Sequence, residues 1–189
     1  MTNALGAARK TPALCFSLVV LGLVAALLAV SIPAQAAVPG GVGSTTPEVA
    51  PPTAPPGKAI LVGGRAIPPA NAPAAVKKVI AAANKIRTKP YIYGGGHGRW
   101  WDAGYDCSGA VSYALHGGGL LESPLDSTGL TTWGEPGPGR WITVYGNSGH
   151  AWMVIAGLAF DTSGGAGPRW HDPWPNSPEG FIARHPAGL

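Results

Sequence analysis

Apolar residues recur at helical spacing near the middle of the chain. From Val76 to Ile86 they return every three or four positions, which is the period of one helix face. Pro73 is suited to the first helical position, and Asn71 or Ala72 to the cap. Pro90 cannot continue a helix. The pattern therefore predicts an amphipathic helix between the two prolines.

A second helix is predicted from Asp106 to Leu115. Asp106 is a good N-cap residue, and Gly117 follows as a stop signal. The apolar face consists of Cys107, Ala110, Val111, Ala114 and Leu115. This places Cys107 at the first position of the helix, directly after the cap.

Short runs of aromatic and β-branched residues read as strands. The first is Tyr91-Ile92-Tyr93, before the second helix. The later runs, separated by glycine-containing turns, are Trp141–Tyr145, Ala151–Ile155, Leu158–Phe160 and Phe181–Arg184. Because helices come first and consecutive strands follow, we predict one α+β domain over residues 71–189, with N-terminal helices packed on an antiparallel sheet.

The first 36 residues have the three parts of a secretory signal. Arg9 and Lys10 precede an apolar run from Leu18 to Val30, and the segment ends in Ala34-Gln35-Ala36. The run is shorter than the roughly 20 residues that cross a bilayer. We therefore predict cleavage after Ala36 and a secreted protein, extracellular or associated with a cell wall and not held by a membrane. An uncleaved anchor is the alternative, because Ala13–Phe16 lengthen the apolar stretch.

Residues 37–70 consist mainly of Pro, Gly, Ala, Ser and Thr and show no hydrophobic period. Such a composition is typical of a semi-extended tether. We predict a disordered linker over 37–70 that lets the domain reach into a polymer mesh.

Composition and charge exclude several classes of protein. Of the 189 residues, 46% are hydrophobic and 12% charged, which is too apolar for a disordered charged tail and too polar for a multi-span membrane protein. Loss of the signal would lower the net charge from +4 to +2. The basic residues between Lys77 and Lys89 fit the solvated face of one helix, so we predict no nucleic-acid partner. We expect the mature protein to be a monomer.

The candidate chemistry centres on Cys107, because the other cysteine, Cys15, leaves with the signal. A single exported thiol is either inert, paired between molecules, or a nucleophile. At a helix N-terminus the unsatisfied N–H groups and the dipole favour the thiolate. The small side chains of Ser108 and Gly109 leave the sulfur reachable and the backbone amides open to an oxyanion.

A thiolate needs a base, and His150 is the best candidate. It opens a strand after Gly149 and shares one strand face with Trp152, which predicts an imidazole directed toward the packed helix. Asp161, at the end of the next strand, is the nearest acceptor that could orient the ring. His171 and Asp172 are the alternatives for this third position. We interpret His97 and His171 as loop or surface residues.

Metal binding is not favoured by the pattern of ligands. Cys107, His97, His150 and His171 are zinc-ligand types, but the chain has neither a C-x-x-C nor a paired-histidine motif. We predict no metal and no organic cofactor.

Three blocks of sequence resemble the NlpC-type cell-wall cysteine peptidases. They are Tyr91-Ile92-Tyr93-Gly94-Gly95, Asp106-Cys107-Ser108-Gly109-Ala110-Val111, and Gly149-His150-Ala151-Trp152-Met153-Val154-Ile155-Ala156-Gly157. The resemblance implies a papain-like α+β fold and a secreted enzyme that cuts peptidoglycan stem peptides, commonly between D-glutamate and a diamino acid.

The resemblance also implies roles for individual residues. Cys107 would be the nucleophile, His150 the base, and Tyr91 would help position the substrate or the oxyanion beside Ser108. The third position, usually a histidine in the family, falls on Asp161. The stretch from His97 to Tyr105 is longer than usual in the family, and its tryptophans could shape one wall of the substrate groove.

Two other functions are compatible with the same residues. One is a non-catalytic wall-binding module on this fold. The other is an amidase or acyltransferase that uses the same Cys-His pair and differs only in which amine or water resolves the acyl-enzyme.

Overall fold

The computed structural model describes residues 57–173 and 179–189. A short hairpin comes first, then two helices, then the strands of a sheet. In chain order the elements are β1 (Ile60–Val62), β2 (Arg65–Ile67), α1 (Ala74–Ile86), α2 (Cys107–Gly117), a 3₁₀ turn (Gly129–Thr131), β3 (Glu135–Pro136), β4 (Ile142–Gly146), β5 (Ala151–Ile155), β6 (Leu158–Asp161), β7 (Arg169–His171) and β8 (Ile182–His185).

The main sheet has six antiparallel strands in the order β3-β8-β4-β5-β6-β7. The predicted α+β class, with the helices before an antiparallel sheet, is confirmed. Strand β5 lies between β4 and β6, where Met153 pairs with Phe160. This register brings Asp161, at the end of β6, close to the start of β5. The site described below is built at that point.

The core lies between the two helices and the sheet. Helix α1 packs on α2, and α2 packs on β5 and β6. The largest fully buried apolar side chains of the core include Ile80, Ile86, Leu115, Met153 and Phe160. Burying a side chain of this size contributes roughly 1.5–3 kcal/mol. The apolar residues whose spacing predicts α1 therefore form the face of the helix that packs in the core.

A buried amide ties the N-terminal hairpin to this core. Asn84 of α1 is 5% exposed, accepts the amide of Ala66 at 3.0 Å and donates to its carbonyl at 2.8 Å. The indole Nε1 of Trp170 also donates to the Asn84 Oδ1, at 3.0 Å. One side chain thus joins β2, α1 and β7. Each bond replaces solvation that Asn84 would lose on burial.

Both predicted helices are present, with differences at their ends. Helix α1 begins at Ala74, and Pro73 occupies the cap without a side-chain hydrogen bond. The predicted cap at Asn71 or Ala72 is wrong, because the Asn71 Oδ1 accepts the amide of Gly57 instead, at 3.0 Å. Helix α2 runs two residues beyond the predicted Leu115, to Gly117.

The linker prediction is wrong in its last part. Strands β1 and β2 pair antiparallel between Ile60 and Ile67, and Ala66 is buried. The linker prediction overlooked a local signal, because Gly63 and Gly64, both with positive φ, form the two-residue turn of a hairpin between Val62 and Arg65. The predicted signal over residues 1–36 and the linker over 37–56 lie outside the described residues.

The strand predicted at Tyr91–Tyr93 is also wrong. Only Tyr91 forms a bridge, a parallel one with Tyr105, and its amide donates to the carbonyl of Ala166 at 2.6 Å. The chain then turns through Gly94, which has a positive φ of 75°. The predicted strand at Ala151–Ile155 has the observed bounds, and those at 141–145, 158–160 and 181–184 are shifted or extended by one residue. The sequences of β3 and β7 have no alternation of apolar and polar residues that would predict a strand.

Across residues 57–173 and 179–189, no helix has the length and apolarity needed to cross a bilayer.

Candidate active site

The nucleophile candidate lies at the start of α2. Asp106 is extended, and its Oδ1 accepts the amide of Gly109 at 2.7 Å, which caps the helix. Cys107 follows as the first helical residue and is partly exposed. Its sulfur is therefore held at the positive end of the helix dipole, where a thiolate is stabilised.

The Asp106 carboxylate also fixes the loop that contains Gly94 and Gly95, which we call the glycine loop, beside the thiol. The Asp106 Oδ2 accepts the amide of Gly94 at 3.0 Å, and the carbonyl of Gly95 accepts the amide of Asp106 at 3.2 Å. A Cβ on Gly109 would collide with that carbonyl. The loop thus packs backbone against backbone on the first turn of α2, a contact that only glycine permits. It holds one wall of the site in place.

His150 lies immediately before β5. The side chain of Asn147 accepts the amides of Gly149 at 2.9 Å and of His150 at 2.8 Å, and so fixes the turn that leads into the strand. The imidazole Nε2 lies 2.8 Å from the Asp161 Oδ1. The antiparallel neighbours β5 and β6 thus bring together two side chains that are eleven residues apart.

The predicted strand face of His150 is wrong. Ala151, Met153 and Ile155 belong to the core that packs on the helices, whereas Trp152 stacks on Tyr145 at a centroid distance of 4.4 Å. His150 therefore does not reach Cys107 by facing the helix layer. It reaches the thiol because it precedes the strand, at the edge where α2 begins.

The carboxylate of Asp161 is buried, with the residue 2% exposed. Burial alone would raise its pKa, but the hydrogen bond and the charge of His150 and the amides of Ser163 and Thr162 together lower it. Those amides lie 3.1 Å and 2.6 Å from the Oδ1. Asp161 is accordingly an anion at neutral pH and a fixed acceptor for the ring.

Cys107 and His150 shift each other's protonation in opposite directions. Burial raises the pKa of the Cys107 thiol, but hydrogen bonds from the His150 ring and the Ala151 amide, with the ring's charge, lower it overall. The hydrogen bond to Asp161, then that to Cys107, raises the pKa of His150 from 6.5 to about 9. Each group therefore favours the charged form of the other, thiolate for Cys107 and imidazolium for His150.

A cleft of about 450 Å³ opens over the thiol. Tyr91, Tyr93 and the glycine loop form one side, and a polar segment after α2 forms the other. The lining residues are Tyr91, Tyr93, Gly94, His97, Asp106, Cys107, Ser108, Asp126, Ser127, Thr128, Ser148 and Gly149. Burial, and then the nearby charges of Cys107 and Asp106, raise the pKa of Tyr91. Tyr91 therefore keeps its hydroxyl proton.

Ser108 and Gly109 contribute less to the cleft than the sequence indicates. The Ser108 hydroxyl lies 3.2 Å from the His97 Nε2 and 3.3 Å from the Asp106 Oδ1, and the residue is 4% exposed. The amide of Gly109 is taken by the cap. Within the described residues no hydrogen bond occupies the amides of Cys107 and Ser108, which are the two left to receive an oxyanion.

Two side chains join the site that sequence reasoning did not place there. His97, interpreted above as a loop or surface residue, lines the cleft with its Nε2 3.0 Å from the Asp106 Oδ1. The Ser163 hydroxyl lies 3.0 Å from the His150 Nε2. No spacing rule finds them, because both contacts arise from loops whose course is set by the fold.

The alternatives for the third position lie elsewhere. His171 is in β7 opposite Ala159, and its Nδ1 bonds the carbonyl of Asp172 at 2.7 Å. Asp161 is the carboxylate beside His150. In the described parts of the chain, no group of three or more His, Cys, Asp or Glu side chains is arranged to hold a metal ion.

Comparisons with known proteins give similarity to solved structures alone. No family model matches the chain, and no curated protein matches it. The similar structures include the peptidoglycan hydrolase RipB from Mycobacterium tuberculosis, with 26% identity, a TM-score of 0.48, and coverage of 63% of this chain and 68% of that one. The Resuscitation Promoting Factor Interacting protein RipA has 23% identity and a TM-score of 0.46. That match covers 58% of this chain and 61% of RipA, less than two thirds of its length.

A third similar structure is an NlpC/P60 family protein from Bacillus cereus, with 22% identity and a TM-score of 0.45. It is matched over 65% of this chain and 42% of its own. The Bacillus cereus protein belongs to the family that the three sequence blocks resemble.

Proposed function

We propose that the protein is a secreted cysteine peptidase that hydrolyses amide bonds in the stem peptides of peptidoglycan. The observation that carries the proposal is the series of Cys107 at a helix N-terminus, His150, whose ring lowers the pKa of that thiol, and the buried Asp161, whose Oδ1 lies 2.8 Å from the ring. This is the arrangement of a nucleophile, a base and an orienting carboxylate.

The reaction proceeds through an acyl-enzyme. The Cys107 thiolate adds to the amide carbon, and the amides of Cys107 and Ser108, with the Tyr91 hydroxyl, receive the negative oxygen. The His150 imidazolium gives its proton to the leaving nitrogen, the C–N bond breaks, and a thioester remains on Cys107. Neutral His150 then takes a proton from water, whose oxygen attacks the thioester and releases the acid and the thiolate.

The substrate class follows from the sequence blocks that surround these residues. Their resemblance to the NlpC-type peptidases favours the bond between D-glutamate and a diamino acid. The similar RipB structure is described as a peptidoglycan hydrolase. The proposed signal over residues 1–36 would deliver the domain to the side of the membrane where this polymer lies.

The test is digestion of purified peptidoglycan, with the released muropeptides identified by mass spectrometry. We expect the full mature chain to release fragments with new D-glutamyl carboxyl ends, and Cys107→Ala and His150→Ala to release none. His185→Ala is the matched control, because His185 also pairs with a carboxylate, Glu135 at 3.3 Å, but lies on β8 outside the cleft. Fragment release by Cys107→Ala would overturn the proposal.

A further inference from the structure

A second concave surface lies on the side of the domain formed by the two helices. It has a volume of about 390 Å³ and shares no lining residue with the cleft over Cys107. We call it the tryptophan groove. Its lining residues are Lys78, Ala81, Ala82, Lys85, Trp100, Trp101, Tyr113, His116 and Gly117.

Aromatic rings form one wall of the tryptophan groove. Trp100 stacks flat on His116, with centroids 3.9 Å apart and planes 5° apart, so its position is fixed from behind. Trp101 is 56% exposed and lies 6.2 Å from Tyr113. An exposed tryptophan beside an ordered one offers a rigid apolar platform at low entropic cost. Flat rings of this kind pack against the C–H faces of sugar rings.

The opposite wall is positively charged. Lys78 and Lys85, about two turns apart on α1, line the tryptophan groove, and no acidic side chain does so among the described residues. The Lys89 ammonium lies 4.4 Å from the centroid of the Trp101 ring. The carboxylate next to Trp101, Asp102, is engaged by the amides of Gly96 and Ala103 and by the charges of Arg99 and Lys89. Within the described residues Lys78 and Lys85 have no ion-pair partner, so their charge is left for a ligand.

We infer that the tryptophan groove binds a carboxylate-bearing sugar polymer, the glycan strand of the cell wall. The rings supply the contact with the sugar, and Lys78 and Lys85 supply the contact with the anion. The choice of a cell-wall polymer rests on the proposed function. The exposed Trp101 ring beside two lysines that have no ion-pair partner among the described residues points to this ligand chemistry by itself.

The two sites lie at opposite ends of one helix. Cys107 begins α2, whereas Tyr113 and His116 lie six and nine residues further on, about 9–14 Å along the axis. An extended peptide of about three or four residues spans that distance. The domain can therefore hold the glycan strand in the tryptophan groove while a stem peptide attached to it lies in the cleft.

The test measures binding without cleavage. The full mature chain carrying Cys107→Ala is mixed with purified sacculi, before and after hydrofluoric acid removes phosphodiester-linked polymers, and the bound fraction is measured against salt. We expect Trp101→Ala, and separately Lys78→Ala with Lys85→Ala, to weaken binding at least about fivefold. Lys58→Ala with Lys77→Ala is the matched control, since both lysines are exposed, both lie outside the groove, and the pair removes the same two charges.

Each outcome decides the inference. Weakening by the groove variants alone, with binding retained on the acid-treated sacculi, supports it. Unchanged binding in the groove variants, equal weakening by the control variant, or loss of binding after the acid treatment would overturn it. Because the chain tested is the Cys107→Ala variant, either result is independent of whether the wild-type chain releases muropeptides.

Discussion

Replacing Asp161 with Asn tests how the site sets its own pH range. Asn has the size of Asp but no charge, so the substitution removes the anionic partner of His150 and leaves the local packing in place. The hydrogen bond to Asp161 is the largest contribution that raises the pKa of His150 from 6.5 to about 9. We expect Asp161→Asn to lower that pKa by about one to two units, or about 1.4–2.7 kcal/mol.

The effect on activity follows from the proton that His150 must give to the leaving amine. With a pKa of about 9, the ring is about 90% protonated at pH 8, and with a pKa near 7.5 it is about 25% protonated. At pH 6 the His150 ring is almost fully protonated in both the wild-type protein and Asp161→Asn. The activity of Asp161→Asn relative to wild type should therefore fall about fourfold between pH 6 and pH 8.

The assay is kcat/KM for a stem-peptide substrate from pH 5.5 to 10, in which the alkaline limb reports the His150 pKa of the free enzyme. The wild-type limb should lie near pH 9 and the Asp161→Asn limb at least about one unit lower. His185→Ala, which changes a histidine on β8, should keep the wild-type limb. An Asp161→Asn limb at the wild-type position would refute the role given to this carboxylate.

Other substitutions test the positioning of the same groups. Ser163→Ala removes the hydroxyl 3.0 Å from the His150 Nε2, so we expect a kcat several-fold lower with an unchanged KM, and partial recovery in Ser163→Thr. In Gly109→Ala the added Cβ would collide with the Gly95 carbonyl. We therefore expect both slower labelling of Cys107 and a lower Tm than in the wild-type protein. A wild-type Tm would contradict this contact. Asn84→Ala should lower the free energy of unfolding in urea by about 2–4 kcal/mol while folded protein keeps its Cys107 labelling rate.

The elements that local chemistry determines were the ones that could be predicted. Asp106 caps α2 through a contact three residues away, so the place of Cys107 at the helix start follows from sequence alone. The bounds of β5 follow from an apolar run between a turn at Gly149 and another at Gly157. The nearness of His150 and Asp161 follows from the short connection between two antiparallel strands.

The elements that depend on distant partners could not be predicted. The hairpin between Ile60 and Ile67 is attached to α1 by Asn84, a contact that the sequence of the hairpin does not reveal. Tyr91 looks like part of a strand, but its backbone partners, Tyr105 and Ala166, come from two separate loops. The face that β5 turns to the helices depends on how the sheet is placed, which alternation along one strand does not reveal.

The rate of Cys107 alkylation distinguishes a reactive thiolate paired with His150 from an inert thiol. The full mature chain is treated with iodoacetamide at pH 7, and the labelling of Cys107 is followed by mass spectrometry. We expect labelling much faster than that of a free cysteine peptide and a marked decrease in His150→Ala but not in His185→Ala. Labelling as slow as the peptide, unchanged in His150→Ala, would contradict it and would favour a wall-binding module without catalysis.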